Sequence, residues 1–167
     1  MVSLLDIIGP VMVGPSSSHT AGACRLGLLA RGLIGGTPQT GVLQLHGSFA
    51  RTGEGHGTDK ALVGGLLGFR PDDERLREAL VIAEREGLDY KFEKVTIADA
   101  AHPNTVRISV ELNGNKATML GSSLGAGRIL VQERFDMYGW ARRLGNMYAE
   151  ARANSRPRNI GLQIDSG

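Results

Sequence analysis

Apolar and polar residues alternate most cleanly over Thr105–Leu112, where Val106, Ile108, Val110 and Leu112 are separated by Arg107, Ser109 and Glu111. A period of two sends one set to each face of a β-strand. Asn113-Gly114 follows, a dipeptide suited to the positive φ angles of a two-residue hairpin turn, so Lys116–Gly121 is the expected returning strand. Shorter patterns predict strands over Val42–Phe49, Tyr90–Ile97 and Arg128–Arg134, and residues 121–127, GSSLGAG, read as a glycine-rich connection. The spacing of Leu26, Leu29 and Leu33 predicts a helix over Ser18–Ile34, stopped by Gly35-Gly36-Thr37-Pro38. Its start, Ala21-Gly22-Ala23, is narrow enough for another backbone to come close. A second helix is expected over Thr58–Leu67. A third, capped by Asp72, carries Leu76, Leu80 and Ala83 and ends near Gly87. Residues 136–153 read as a further helix, and the stretch SRPRNIGLQIDSG after it is weakly patterned. Ser3–Ile8 is a short apolar segment closed by Gly9-Pro10.

Helices first, then a strand and two helices, then a run of antiparallel strands: this order predicts an α+β fold, with helices packed on a mainly antiparallel sheet in a single domain. Residues 1–135 are expected to form it, with 136–167 as a C-terminal helix and tail. A chain of 167 residues can bury roughly two thirds of its unfolded surface. Its 41% hydrophobic content excludes a disordered chain. A formal charge of +2, with three tyrosines, four phenylalanines and one tryptophan, argues against nucleic-acid binding. Arg142, Arg143, Arg152, Arg156 and Arg158 read as a solvated or partner-facing surface. No apolar run is long enough to span a bilayer, and the N-terminal stretch, broken by Asp6 and Pro10, does not read as a signal peptide. The one cysteine, Cys24, excludes an internal disulfide and a cysteine-built zinc or iron–sulfur site within this chain alone. It suits a reducing, cytoplasmic setting.

Two glycine-flanked histidine segments carry the candidate chemistry. Residues 14–22, GPSSSHTAG, lie where the first helix begins. A helix start has unpaired N–H groups and a partial positive charge, and favours serine or threonine caps and anionic guests. A cap needs one hydroxyl. Ser16, Ser17, Ser18 and Thr20, with His19 among them, exceed that need and point to an anion site beside a proton-transfer group. Residues 51–61, RTGEGHGTDKA, join a strand to the second helix, with Thr58 or Asp59 as its cap. Gly55 and Gly57 flank His56 and admit positive φ or close ligand approach. The spacing matches neither GxGxxG nor GxxxxGK[ST], which weakens a nucleotide reading. HPNT, residues 102–105, reads as a turn. His19, His46, His56 and His102 show no helical metal-ligand spacing, so no metal site is expected.

IIGPVMVGPSSSHTAGACRLG, GSFARTGEGHGTDKALVGGLLG, HPNTVRI and GSSLGAGRI, in that order, resemble the β chain of bacterial iron–sulfur L-serine dehydratases from about Leu5 to Val131. The resemblance implies deamination of L-serine to pyruvate and ammonia. It also implies a partner α chain, whose cysteines hold a [4Fe–4S] cluster that acts on the substrate hydroxyl. The β part resembles the substrate-binding regulatory domain of some phosphoglycerate dehydrogenases. On this reading His19 and His56 are the proton-transfer candidates, His19 first. Ser16, Ser17, Ser18, Thr20, Gly55, Gly57, Thr58 and Asp59 would line the serine pocket at the α-chain interface. The chain is expected to be inactive without that partner, with a homo-oligomer as its state alone. The other reading is a non-catalytic domain that senses serine or a small anion. Many β chains of the family continue into an ACT-type regulatory domain, and residues 136–167 are too few for a complete one.

Overall fold

The computed structural model describes residues 11–136 apart from Glu54 and Asp99. The expected apolar segment Ser3–Ile8, the helix over 136–153 and the tail lie outside them. A wide, π-helical turn, Ser17–Gly22, runs into α1 (Ala23–Ile34), which ends on Gly35 at φ 90°. Then come β1 (Thr40–His46), α2 (Gly47–Thr52), α3 (Thr58–Leu67), a tight 3-10 turn (Glu74–Glu78) and α4 (Ala79–Arg85). The chain finishes with β2 (Asp89–Lys94), β3 (Asn104–Leu112), β4 (Asn115–Gly125) and β5 (Arg128–Asp136). The strands form one open sheet in the order β2-β1-β3-β4-β5. Only β2 runs parallel to its neighbour; the other pairs are antiparallel. The expected α+β fold on a mainly antiparallel sheet is therefore the one observed.

The alternation in β3 does what a period of two requires. Leu43, Ile108 and Met119 sit side by side in register and are buried in the main core with α1 and α3. The next register row is polar: Gln44 Nε2 donates to Glu93 at 2.9 Å and Arg107 Nη1 donates to Gln44 Oε1 at 3.2 Å. The Asn113-Gly114 turn closes the hairpin with φ 51° and 78°, as a turn of that class demands.

The helices meet on glycine. A Cβ at Gly27 would strike the Leu62 carbonyl, and one at Gly65 would strike the Cys24 carbonyl. Helix α1 therefore lies against α3 with little between the backbones. The narrow start of α1 is used in the same way, because a Cβ at Gly22 would collide with Ser123 on β4.

Several expected boundaries move. The strand read over Val42–Phe49 ends at His46, because Gly47, at φ 59° and pressed on the Pro103 carbonyl, turns the chain into α2. Phe49 is thus a buried helical residue. Asp73, not Asp72, is the cap: its carboxylate accepts from Arg75 N at 3.0 Å, and it opens a 3-10 turn that leads into α4. The helix α3 starts at Thr58, but its cap is Gly57 at φ 71° rather than a Thr58 or Asp59 side chain. The second strand is shorter than Tyr90–Ile97. Most of GSSLGAG is strand rather than connection. Residues up to Ser122 pair with β3 and those up to Gly125 pair with β5 through bulges, since Gly121 makes room for Leu26 and the Ser122 hydroxyl is matched by Thr105 at 2.6 Å.

The described residues include no helix long and apolar enough to cross a membrane. Cys24 is fully buried; its thiol donates to the Phe69 carbonyl at 3.1 Å, and burial, ahead of nearby carboxylates, pushes its pKa up to about 12.

Two predictions follow from this packing. Gly65→Ala should destabilise the chain by about 3 kcal/mol through overpacking. Gly32→Ala, where a Cβ meets nothing within 4 Å, should stabilise α1 by about 0.5–1 kcal/mol. Urea unfolding of the full chain measures both. Cys24 should resist a thiol reagent at about pH 8 in the folded chain and react at once when the chain is unfolded; equal rates in both states would contradict the buried thiol.

Candidate active site

Because α1 and α3 touch, the segments that lead into them lie side by side. Ser16 caps the π-helical turn, its Oγ accepting from His19 N at 3.2 Å. The His19 ring is then held from both ends by hydroxyls. Nδ1 lies 3.1 Å from Ser18 Oγ and 3.4 Å from Ser16 Oγ. Nε2 lies 3.2 Å from both Ser48 Oγ and Thr52 Oγ1. Ser48 and Thr52 are four residues apart on α2, hence on one face. The ring edge packs on Phe49 with centroids 5.3 Å apart, and His56 lies on its other side at 5.1 Å.

His56 is held differently. Its Nδ1 is 3.0 Å from the Thr52 carbonyl, which can only accept, so Nδ1 carries a proton and Nε2 is left for another partner. Thr20 Oγ1 donates to the His56 carbonyl at 3.4 Å, tying the two segments together. Beside them a cavity of about 280 Å³ is lined by Gly14 and Pro15, Thr20, Gly55-His56-Gly57, Lys60, Leu76 and Arg77.

Burial lowers the pKa of His19 below its ordinary value of 6.5, and the neighbouring His56 lowers it further. His19 is therefore a neutral imidazole at neutral pH, able to accept a proton. The hydroxyls around it can donate or accept and so tolerate either tautomer.

The expected site residues fall into groups. Thr20, Gly55, His56 and Gly57 line the cavity. His19 stands next to His56, with Ser16 and Ser18 turned toward it. Ser17 looks elsewhere, its Oγ accepting from Ala126 N at 3.2 Å in the β4–β5 turn. Thr58 is fully buried, its hydroxyl without a hydrogen-bond partner among the described residues. Asp59 lines a separate cavity with Phe49, Tyr90 and Phe92. Ser48, Thr52, Lys60 and Arg77 were not among the expected residues. The Ser48–Thr52 spacing is informative only on a helix, and the sequence pattern ran a strand as far as Phe49.

The described residues include no group of three or more His, Cys, Asp or Glu side chains that could hold a metal ion. The buried, hydrogen-bonded Cys24 thiol does not fit a cluster ligand, since the thiolate is the form that binds metal. This chain is thus an α+β domain whose candidate site pairs two histidines beside a small cavity of mixed lining.

The sequence profile of the serine dehydratase beta chain family matches residues 3–87. The chain belongs to this family. It is 46% identical over 130 residues to the L-serine dehydratase beta chain of Peptoniphilus asaccharolyticus, and 49% identical over 131 residues to the probable L-serine dehydratase beta chain of Bacillus subtilis. These alignments take in 77% and 78% of this chain and 59% of each relative. The chain thus spans about three fifths of the length of these relatives. It is also 41% identical over 160 residues to L-serine dehydratase 2 of Escherichia coli, covering 81% of this chain and 34% of that protein.

The lowered His19 pKa has a sign that can be measured. Below about pH 6.5 the unfolded chain takes up a proton at this position before the folded chain does. His19 thus contributes stability that is full above the unfolded pKa and is lost as pH falls through the folded one. His19→Gln should make stability fall less steeply between about pH 7 and about pH 5 than in the parent chain. An unchanged slope in pH-dependent urea unfolding would contradict the shift.

Proposed function

We propose that the chain is the β subunit of an L-serine dehydratase, which converts L-serine to pyruvate and ammonia in the cytoplasm. It works with an α chain that holds a [4Fe–4S] cluster, and is inactive without it. The observation that carries this reading is the His19–His56 pair beside the cavity, in a chain whose similar relatives are named L-serine dehydratase beta chains. The Cys24 environment supports a cluster held elsewhere, so the residues of this chain are assigned binding and proton transfer only.

The reaction removes the α-proton of serine and expels its hydroxyl as water. The resulting aminoacrylate hydrolyses to pyruvate and ammonia. His56 lines the cavity with its Nε2 available, and is suited to exchange a proton with a group bound there. Behind it His19, kept neutral by burial, completes the proton-transfer pair. Ser16 and Ser18 orient His19, and Thr20, Gly55 and Gly57 shape the wall. Ser17, Thr58 and Asp59 support the surrounding loops, and the α chain closes the pocket.

The test is the full chain reconstituted with its α chain. His19→Ala should lower kcat for L-serine by about 10²–10⁴-fold, the range of a general acid–base group. Turnover near the parent level, with only the cooperativity toward serine altered, would instead identify a serine-sensing regulatory domain.

A further inference from the structure

The hydroxyls that the sequence marks as an anion site are neutral groups, each also in contact with other parts of the protein. Ser16 accepts from the His19 backbone, Ser18 reaches His19 Nδ1, and Ser17 accepts from Ala126 N. Ser48 and Thr52 hold His19 Nε2. These contacts position an imidazole. None of these groups carries a positive charge to balance the carboxylate of a bound amino acid.

The cavity wall supplies one. Lys60 lies in the first turn of the ten-residue helix α3, four residues after His56. The cap of that helix is Gly57, which brings no side chain, and the acidic residue of its first turn, Asp59, lines the separate cavity. Arg77, also on the wall, is paired with Glu74 at 3.3 Å, whereas Lys60 has no carboxylate partner among the described residues. A cavity of about 280 Å³ has the volume of about nine waters, room for a three-carbon amino acid.

We propose that Lys60 binds the α-carboxylate of the substrate and so selects amino acids over analogues that lack the carboxylate. The inference rests on the serine dehydratase reading and names the group that anchors the substrate in it. With the carboxylate on Lys60, the amino acid lies against the wall that carries His56.

Two measurements test it. In the reconstituted complex, Lys60→Gln should raise KM for L-serine about tenfold or more while kcat stays within about threefold. Lys60→Arg, which keeps the charge, should recover most of that loss. Lys116→Gln, on the remote β3–β4 hairpin, should change neither constant. Calorimetric titration of the full chain should show L-serine preferred over L-serinamide, and Lys60→Gln should erase the preference. An active complex whose KM is indifferent to Lys60→Gln overturns the assignment of Lys60 and leaves the serine reading intact. A complex without serine turnover, whose β chain still prefers L-serine over L-serinamide through Lys60, sinks the dehydratase reading and keeps the carboxylate site.

Discussion

The close contact of α1 and α3 is the constraint on which the rest of the domain depends. Two helices separated by ordinary side chains lie 8–10 Å apart, axis to axis. Gly27 and Gly65 remove the side chains at the crossing, and each faces a carbonyl of the other helix where a methyl group would collide. Leu26, Leu62 and Leu66 fill the space beside the crossing and are fully buried. The chemistry follows from that geometry. The segments preceding the two helices are forced into contact, so a histidine that belongs to one comes within 5.1 Å of a histidine that belongs to the other.

The two rings are then specialised by their surroundings rather than by their type. His19 is partly buried and its ring nitrogens meet hydroxyls, groups that suit either tautomer and bring no opposing charge. Burial dominates there and favours the neutral ring. His56 is more exposed and is fixed through Nδ1 by a carbonyl. One ring is thus held in the interior of the site, while the other has its tautomer set and faces a cavity. The π-helical turn that carries His19 belongs to the same arrangement, since such turns place side chains at angles an α-helix does not allow.

The parts of this fold legible in the sequence are those governed by near neighbours. The β3–β4 hairpin follows from alternation and Asn113-Gly114, and α1 follows from leucine spacing and its terminal glycines. What the sequence hid depends on distant partners. The parallel pairing of β2 with β1 leaves no local mark. Ser122 and Ser123 read as loop residues, yet they lie in a strand because Gly121 and Gly22 let α1 sit close on β4. The site shows the same division. Both histidine segments were visible from their glycines and hydroxyls. Ser16 and Ser18 meet His19 through local contacts three residues and one residue apart, whereas the hold of Ser48 on His19 and the turn of Ser17 to Ala126 depend on neighbours 29 and 109 residues away.

Those hydroxyls also explain how one motif can look like an anion site and serve another end. A serine cluster at a helix start offers a carboxylate neutral O–H and N–H donors but no full positive charge. Here the first bond of the cluster closes the helix cap, and the next ones grip a ring that burial keeps uncharged. An uncharged imidazole cannot balance an anion, so a guest carboxylate needs its charge met by a different group. Lys60 meets that requirement from the start of the adjoining helix, on the same cavity wall as His56. Charge recognition and proton handling are thereby placed on neighbouring but separate groups, which lets a buried neutral histidine and an anionic guest coexist without either raising the energy of the other.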